Sequence, residues 1–170
     1  MTPAIDHLKR SSIPFKEHRF QYKEHGGTAH SSQALGVSEH SVIKTLIFES
    51  DTGEPICVLM HGDCMVDGKA LCRALSTSND GPFAVRCKRA HPCAPDRATR
   101  FSGYLIGGTS PFGLKTRMPI VAESTILSLP TLFINGGARG FLVELSPESL
   151  TSALQSQWGA PLWASIAKRG

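Results

Sequence analysis

Val42-Ile-Lys-Thr-Leu-Ile-Phe48, the turn Asp51-Thr-Gly-Glu-Pro55 and Ile56-Cys-Val-Leu-Met60 read as two strands joined in a hairpin, and this reading sets the class of the fold. Branched and apolar side chains suit a pleated, packed backbone, and Gly53 and Pro55 punctuate the turn. Lys44 interrupts the pattern. By the period of two it shares a face with Leu46 and Phe48, so its charge lies at the edge of a pocket or of the core. The plainer alternative is a lysine whose stem lies along the sheet while its ammonium reaches solvent.

Upstream of the hairpin, Thr2 and Pro3 open a helix with Ile5 and Leu8 on one face, and Pro14 ends it. Phe15 to Phe20 reads as a strand, Gly26-Gly27 as a loop, and Ser31 to Leu35 as a short helix stopped by Gly36. Downstream, Asp67 is placed to cap a helix over residues 68–76. A loop at 78–82, a strand at 83–87 and a helix from Ala94 to Phe101 follow. Gly103-Tyr-Leu-Ile-Gly-Gly-Thr-Ser-Pro-Phe-Gly113 reads as a strand delivering a backbone-rich loop. Strands at 118–122 and 131–134, a helical turn at 124–128, a hairpin turn at Asn135-Gly136-Gly137, a strand at 141–145 and a helix at 148–155 complete the chain. Strands outnumber helices and regular β-α-β alternation is missing, which predicts an α+β fold on a strongly curved, largely antiparallel or mixed sheet. With no repeat or linker, residues 1–170 are expected to form one domain.

The 170 residues are 41% hydrophobic and 19% charged, enough for a packed core and unlike a disordered chain. No apolar run approaches twenty residues and the N-terminus lacks the pattern of a leader, so a cytoplasmic protein off the membrane is expected. Five irregularly spaced cysteines without a Cys-x-x-Cys pair argue against a disulfide framework and a zinc ribbon. His91 and Cys93 with Cys87, or His61 with Cys64, are the metal readings weighed, and no metal is expected. The net charge is +4, but Arg86, Lys88, Arg89, Arg97, Arg100, Lys115 and Arg117 face only Asp96 in their stretch. Such a segment suits a polyanion, and equally an ordinary solvated face.

Successive N–H groups in a loop like Gly107-Gly108-Thr109-Ser110-Pro111 can surround an anion or a carbonyl oxygen that becomes negative during reaction. The run Gly108 to Thr116 misses a phosphate-binding Gly-x-x-x-x-Gly-Lys-Ser/Thr motif by one residue, and Arg117-Met-Pro119 reads as strand where that motif needs a helix. Ser110 lacks the Gly-x-Ser-x-Gly elbow of a hydrolase nucleophile. The seven histidines are scattered, and His61 stands out only by following a strand.

In combination these features say more. Lys44-Thr45 in an apolar strand, Gly62-Asp63 with Val66-Asp67 and Lys69, the Gly103–Gly113 loop, and Asn135-Gly-Gly-Ala-Arg-Gly140 resemble, in that order, the YbaK family of aminoacyl-tRNA deacylases, also described as prolyl-tRNA synthetase associated editing domains. The resemblance runs from Met1 to near Gln155. It implies a curved, partly closed, barrel-like mixed sheet flanked by helices. It also implies trans-editing: hydrolysis of the ester between a wrong amino acid and tRNA, chiefly cysteine on proline tRNA, with another small amino acid or a non-catalytic tRNA- or synthetase-binding role as alternatives. The family's lysine corresponds to Lys44 and its Gly-x-x-x-Pro loop to Gly107–Pro111. Its aromatic residue at the first strand corresponds to Phe20, where relatives often carry a tyrosine, so a hydroxyl is missing. Asn135 stands where relatives often have serine, and Thr45, His61 and Gly136 are the remaining candidates for substrate contact. The expected partners are the acceptor end of tRNA, held through the basic segment by its phosphates and 2′-hydroxyls, and prolyl-tRNA synthetase, with neither DNA nor a membrane. No cofactor is implied.

Overall fold

Thr2 caps the first helix, α1 (Pro3–Arg10), as its sequence predicts: the hydroxyl accepts the Ile5 N–H at 3.1 Å and donates to Gly136 O at 2.5 Å, tying the cap to a distant strand. The computed structural model describes residues 1–77 and 87–169. After α1 come β1 (Lys16–Arg19), α2 (Gly27–Leu35), a 3₁₀ turn over Glu39–Ser41, β2 (Val42–Ser50), β3 (Pro55–His61), β4 (Cys64–Val66) and α3 (Gly68–Thr77). Then follow β5 (Ala90–Pro92), α4 (Pro95–Ser102), β6 (Ile120–Glu123), a 3₁₀ turn over Ser124–Ser128, β7 (Leu132–Ala138), β8 (Phe141–Leu145), α5 (Pro147–Trp158), β9 (Leu162–Ala164) and β10 (Ala167–Arg169). No described helix is long and apolar enough to cross a membrane.

One mixed sheet runs β1-β8-β7-β2-β3-β6-β9, with β5 also on β2, while β4 and β10 make a separate two-stranded ribbon. The hairpin is its centre: β2 and β3 pair antiparallel from Ile43 opposite His61 to Glu49 opposite Pro55. On its other edge β2 meets β7 in parallel only at Val42 and Ile43, and meets β5 only from Phe48 to Ser50. Ile47 O is taken by Cys93 N at 2.9 Å. Among the described residues no strand pairs with Lys44, Thr45 or Leu46 on that edge, and the sheet opens into a notch there.

The two faces of β2 sort the core. Ile43 and Ile47 join Cys57, Leu59, Ile134 and Val143 in the largest cluster, closed by Ile5 and Leu8 of α1 and Leu150 and Leu154 of α5. On the opposite face Phe48 packs with Ile56, Val58, Met60 and the α3 residues Leu71 and Leu75, with Leu46 partly buried against them. Val42, on that same face, packs with Phe133 and Leu142, covered by Phe20, Leu35 and Val37. Lys44 falls between these two outer clusters.

Three expectations are corrected. Tyr104 to Ile106 is not a strand: α4 ends at Gly103, which adopts φ +82°, and an irregular loop runs from there to β6. Tyr104 is buried, its hydroxyl donating to Phe112 O at 2.5 Å, while Leu105 and Ile106 face solvent. Asn135-Gly136-Gly137 is not the hairpin turn but part of β7, where the register with β8 shifts between Asn135 and Ala138. Against the expectation from cysteine spacing, one disulfide is present: Cys72 of α3 is joined to Cys87, their Cα atoms 5.0 Å apart. The expected loop at 78–82 and most of the strand at 83–87, with Arg86, lie outside the described residues.

Candidate active site

Lys44 is half-buried in the outer face of β2, its register partner Met60 and its neighbours Val42 and Leu46 apolar. Its Nζ lies 3.5 Å from Gly62 O, at the limit of a hydrogen bond. No carboxylate pairs with it among the described residues. A cation in this setting is free to meet an anion that enters the notch. Beside it Thr45 points to the other face, and its buried Oγ1 has no hydrogen-bond partner.

Asn135 follows the last parallel pair, Ile43 with Ile134, as Lys44 does on β2, and by alternation faces the side of the sheet that Lys44 faces. Asn135 does two jobs at once. Its Oδ1 accepts from Gly137 N at 2.7 Å and Ala138 N at 3.1 Å, fixing the irregular end of β7, and its Nδ2 donates to Gly107 O at 3.1 Å. It therefore ties the glycine loop to the strand that flanks Lys44. Gly107 adopts φ +88°, and a Cβ there would come within 2.8 Å of the Tyr22 hydroxyl oxygen. Arg139 reaches across the same loop, its Nε donating to Ile106 O at 3.0 Å and its guanidinium carbon 5.2 Å above the Tyr22 ring.

Within the loop, the Gly108 N–H closes a turn on Leu105 O at 2.9 Å. The N–H groups of Gly107, Thr109 and Ser110 meet no acceptor among the described residues, so three of the four groups expected to face a ligand keep a free donor. Ser110 is fully buried, its Oγ accepting from Phe112 N, and Thr109 Oγ1 points back to Leu105 O. Pro111 is buried too, its carbonyl accepting from Gln157 Nε2. Ser110 is thus no exposed nucleophile. No helix begins at Lys115, which also removes the phosphate-loop reading.

The notch, the unpaired lysine and the glycine cradle agree with what comparison finds. The model of the aminoacyl-tRNA editing domain matches residues 24–153. The chain belongs to the aminoacyl-tRNA editing domain family. Editing in this family is hydrolysis of the ester bond that joins an amino acid to its tRNA. A proposed Cys-tRNA(Pro)/Cys-tRNA(Cys) deacylase of Enterococcus faecalis, EbsC, is 25% identical over 158 residues, covering 92% of this chain and 90% of its own. Two crystal structures share the fold over nearly the whole of both chains. One is of the protein APE2540, with TM-score 0.81 and 21% identity over 98% of this chain and 99% of that one. The other is of a proposed trans-editing enzyme for prolyl-tRNA synthetase, with TM-score 0.77 and 19% identity over 99% of each.

Other expected site residues of the editing domain lie elsewhere. Phe20 packs against the cluster of Val42 and Phe133, while the hydroxyl of Tyr22, which the sequence did not single out, lies against Gly107. Gly136 is a packing position: a Cβ there would lie 2.5 Å from the Phe141 ring. His61 is buried, on the same face as its register partner Ile43. Its Nδ1 meets His40 O at 2.7 Å and its Nε2 meets Thr125 Oγ1 at 2.8 Å. Thr125 in turn donates to Glu123 Oε2 at 2.6 Å. Burial would raise the Glu123 pKa, but hydrogen bonds from Thr125, Ile166 and Ala167 outweigh it and hold the carboxyl below its ordinary value. Stability from Glu123 is therefore present above the carboxylate's unfolded pKa and lost as pH falls through the folded one. Glu123→Gln sets an amide against these donors and is expected to cost about 1–3 kcal/mol in denaturant unfolding at neutral pH.

The basic segment does not gather at the notch. Arg97 pairs with Glu49 at 2.7 and 3.1 Å, and the N–H groups of Lys88 and Arg89 donate to Asp51. Glu49 lies at the far end of β2, roughly 16 Å from Lys44 at about 3.3 Å per residue, and Asp51 just beyond it. Arg100, Lys115 and Arg117 are exposed on α4 and the loop after it. Arg139 is the arginine that reaches the glycine loop itself.

Proposed function

We propose that this editing domain is a trans-acting deacylase whose substrate is cysteine mischarged on proline tRNA. The observation that carries the proposal is Lys44, a half-buried cation with no carboxylate partner among the described residues, on the strand that pairs with β7, whose Asn135 holds Gly107 O of the donor-rich loop Gly107–Ser110. The acceptor end of tRNA enters with its terminal adenosine over the loop, its sugar and phosphate near Tyr22 and Arg139. The free N–H groups hold the ester carbonyl as it becomes a tetrahedral oxyanion, and Lys44 neutralises a phosphate or the developing charge. Attack comes from the substrate's own thiol, a ribose hydroxyl or a water, since Ser110 is buried and Thr109 is turned inward. With water as attacker the carbonyl loses its bond to the ribose oxygen, which takes up the water's proton, and the free amino acid leaves. With the thiol, the amino acid leaves as a cyclic thioester that water then opens. A ribose hydroxyl only moves the ester to its own oxygen, and water must complete the release. EbsC's name supports the cysteine preference, and the named role of the structural relative supports prolyl-tRNA synthetase as partner.

A panel of mischarged tRNAs tests the proposal. Cys-tRNA(Pro) is expected to be hydrolysed fastest; faster loss of alanine or serine moves the preference to another small residue. No hydrolysis above the spontaneous rate, with tRNA still bound, leaves only a binding module. Tyr22→Phe is expected to raise KM about three- to tenfold with little change in kcat, the size of one hydrogen bond. An unchanged KM would remove Tyr22 from the site.

A further inference from the structure

We propose that His40, Asp63 and Cys64 form a binding site for Zn²⁺ or a similar divalent transition metal. Their ligating atoms lie within 4.8 Å of one another. His40 Nδ1 is 2.8 Å from Asp63 Oδ1, and Cys64 Sγ is 3.5 Å from the same oxygen. A tetrahedral zinc ion with bonds of about 2.0 Å to nitrogen and oxygen and about 2.3 Å to sulfur separates its ligand atoms by roughly 3.3–3.5 Å. The Cys64–Asp63 distance already fits that spacing, and the His40–Asp63 pair must open by about 0.5 Å.

The donors are held by the fold. The His40 ring stacks on His61 with centroids 3.7 Å apart and planes 6° from parallel, and His40 O is fixed by His61 Nδ1. Gly62 N donates to Val42 O at 2.7 Å, which anchors the turn carrying Asp63 and Cys64. Nitrogen, carboxylate and thiolate together favour zinc over magnesium or calcium, which prefer oxygen alone. Three protein ligands leave one position for water or another ligand.

A second group with the same donor types shows what such a site needs. His91 and Cys93 flank Glu49, but Glu49 already holds the Arg97 guanidinium, so its charge is neutralised. No lysine or arginine forms an ion pair with Asp63 among the described residues. On binding, the Cys64 thiol releases its proton to buffer and His40 shifts its ring proton to Nε2, freeing Nδ1 for the metal.

The test is a Zn²⁺ titration of the whole chain, freed of metal with its Cys72–Cys87 disulfide intact, against a chromophoric chelator. One equivalent is expected to bind. His40→Ala, Asp63→Asn and Cys64→Ser are each expected to weaken binding at least tenfold, and Cys93→Ser to leave it unchanged. Co²⁺ is expected to give a thiolate-to-metal charge-transfer band that Cys64→Ser removes. Melting in the presence of chelator selects the variants that keep the wild-type fold, and Asp63→Asn, which preserves side-chain shape, serves if His40→Ala does not. Binding of less than one equivalent, wild-type affinity in Cys64→Ser, or a cobalt spectrum without the thiolate band would overturn the proposal.

Discussion

Lys44→Met is expected to lower kcat/KM for deacylation by about 10²–10³ while the protein melts within a few degrees of wild type, the scale seen when a preorganised charge-stabilising group is removed from an active site. Methionine preserves the stem that lies against Met60 and Leu46 and deletes only the charge, so packing loss is held small. Lys44→Ala deletes both, and equal inactivity of the two variants would assign the effect to the ammonium. The structure gives reason to expect a large effect: the nearest hydrogen-bond partner of Nζ is a carbonyl at 3.5 Å, so the charge stabilises little in the free protein and is available to the substrate. Single-turnover hydrolysis of Cys-tRNA(Pro) measures it. A Lys44→Met protein that edits at the wild-type rate would reduce Lys44 to a strand lysine reaching for solvent.

The hairpin at the centre of the sheet was legible because alternation and turn residues agree there, and so was the placement of Lys44 on the face of Leu46 and Phe48. The glycine loop was legible as a loop but not in its approach. Tyr104-Leu-Ile106 has the composition of a strand, yet only Tyr104 is buried, through a hydroxyl bond to a carbonyl eight residues on. Local propensity cannot see that partner. Asn135-Gly-Gly has the composition of a turn, and its glycines instead let the Phe141 and Tyr104 rings approach an irregular strand end. The notch beside Lys44 arises because β7 and β5 both meet β2 and neither covers its middle, a consequence of pairings between residues forty or more apart. The same holds for charge: the pairing of Arg97 with Glu49, 48 residues earlier, has no signal in the local sequence. Tyr22 had no signal in sequence beyond being an aromatic two positions after the one expected.

Gly108→Ala is expected to lower kcat/KM by roughly tenfold, since the new Cβ shifts the loop by a few tenths of an ångström and a misplacement of about 1 Å costs about 10²-fold. A Cβ at Gly108 would lie 3.1 Å from Ala138 C and Arg139 N, backbone atoms of the β7–β8 connection that cannot rotate aside. The loop must then lift, carrying the Gly107, Thr109 and Ser110 N–H groups away from the carbonyl they are proposed to hold. Gly107→Ala acts differently. It strains a backbone at φ +88° by roughly 1–2 kcal/mol and meets only the end of the Tyr22 side chain, which can swing away. Gly159→Ala provides the control for strain alone, because its φ is +103° with open space around the new Cβ. Gly159→Ala is therefore expected to lose stability without losing editing, Gly107→Ala to lose some of both, and Gly108→Ala to lose editing out of proportion to stability. Measured as kcat/KM against melting temperature, a Gly108→Ala protein within threefold of wild-type activity would show that the loop's distance from β7 does not matter to the reaction, and the cradle would have to be sought elsewhere along the notch.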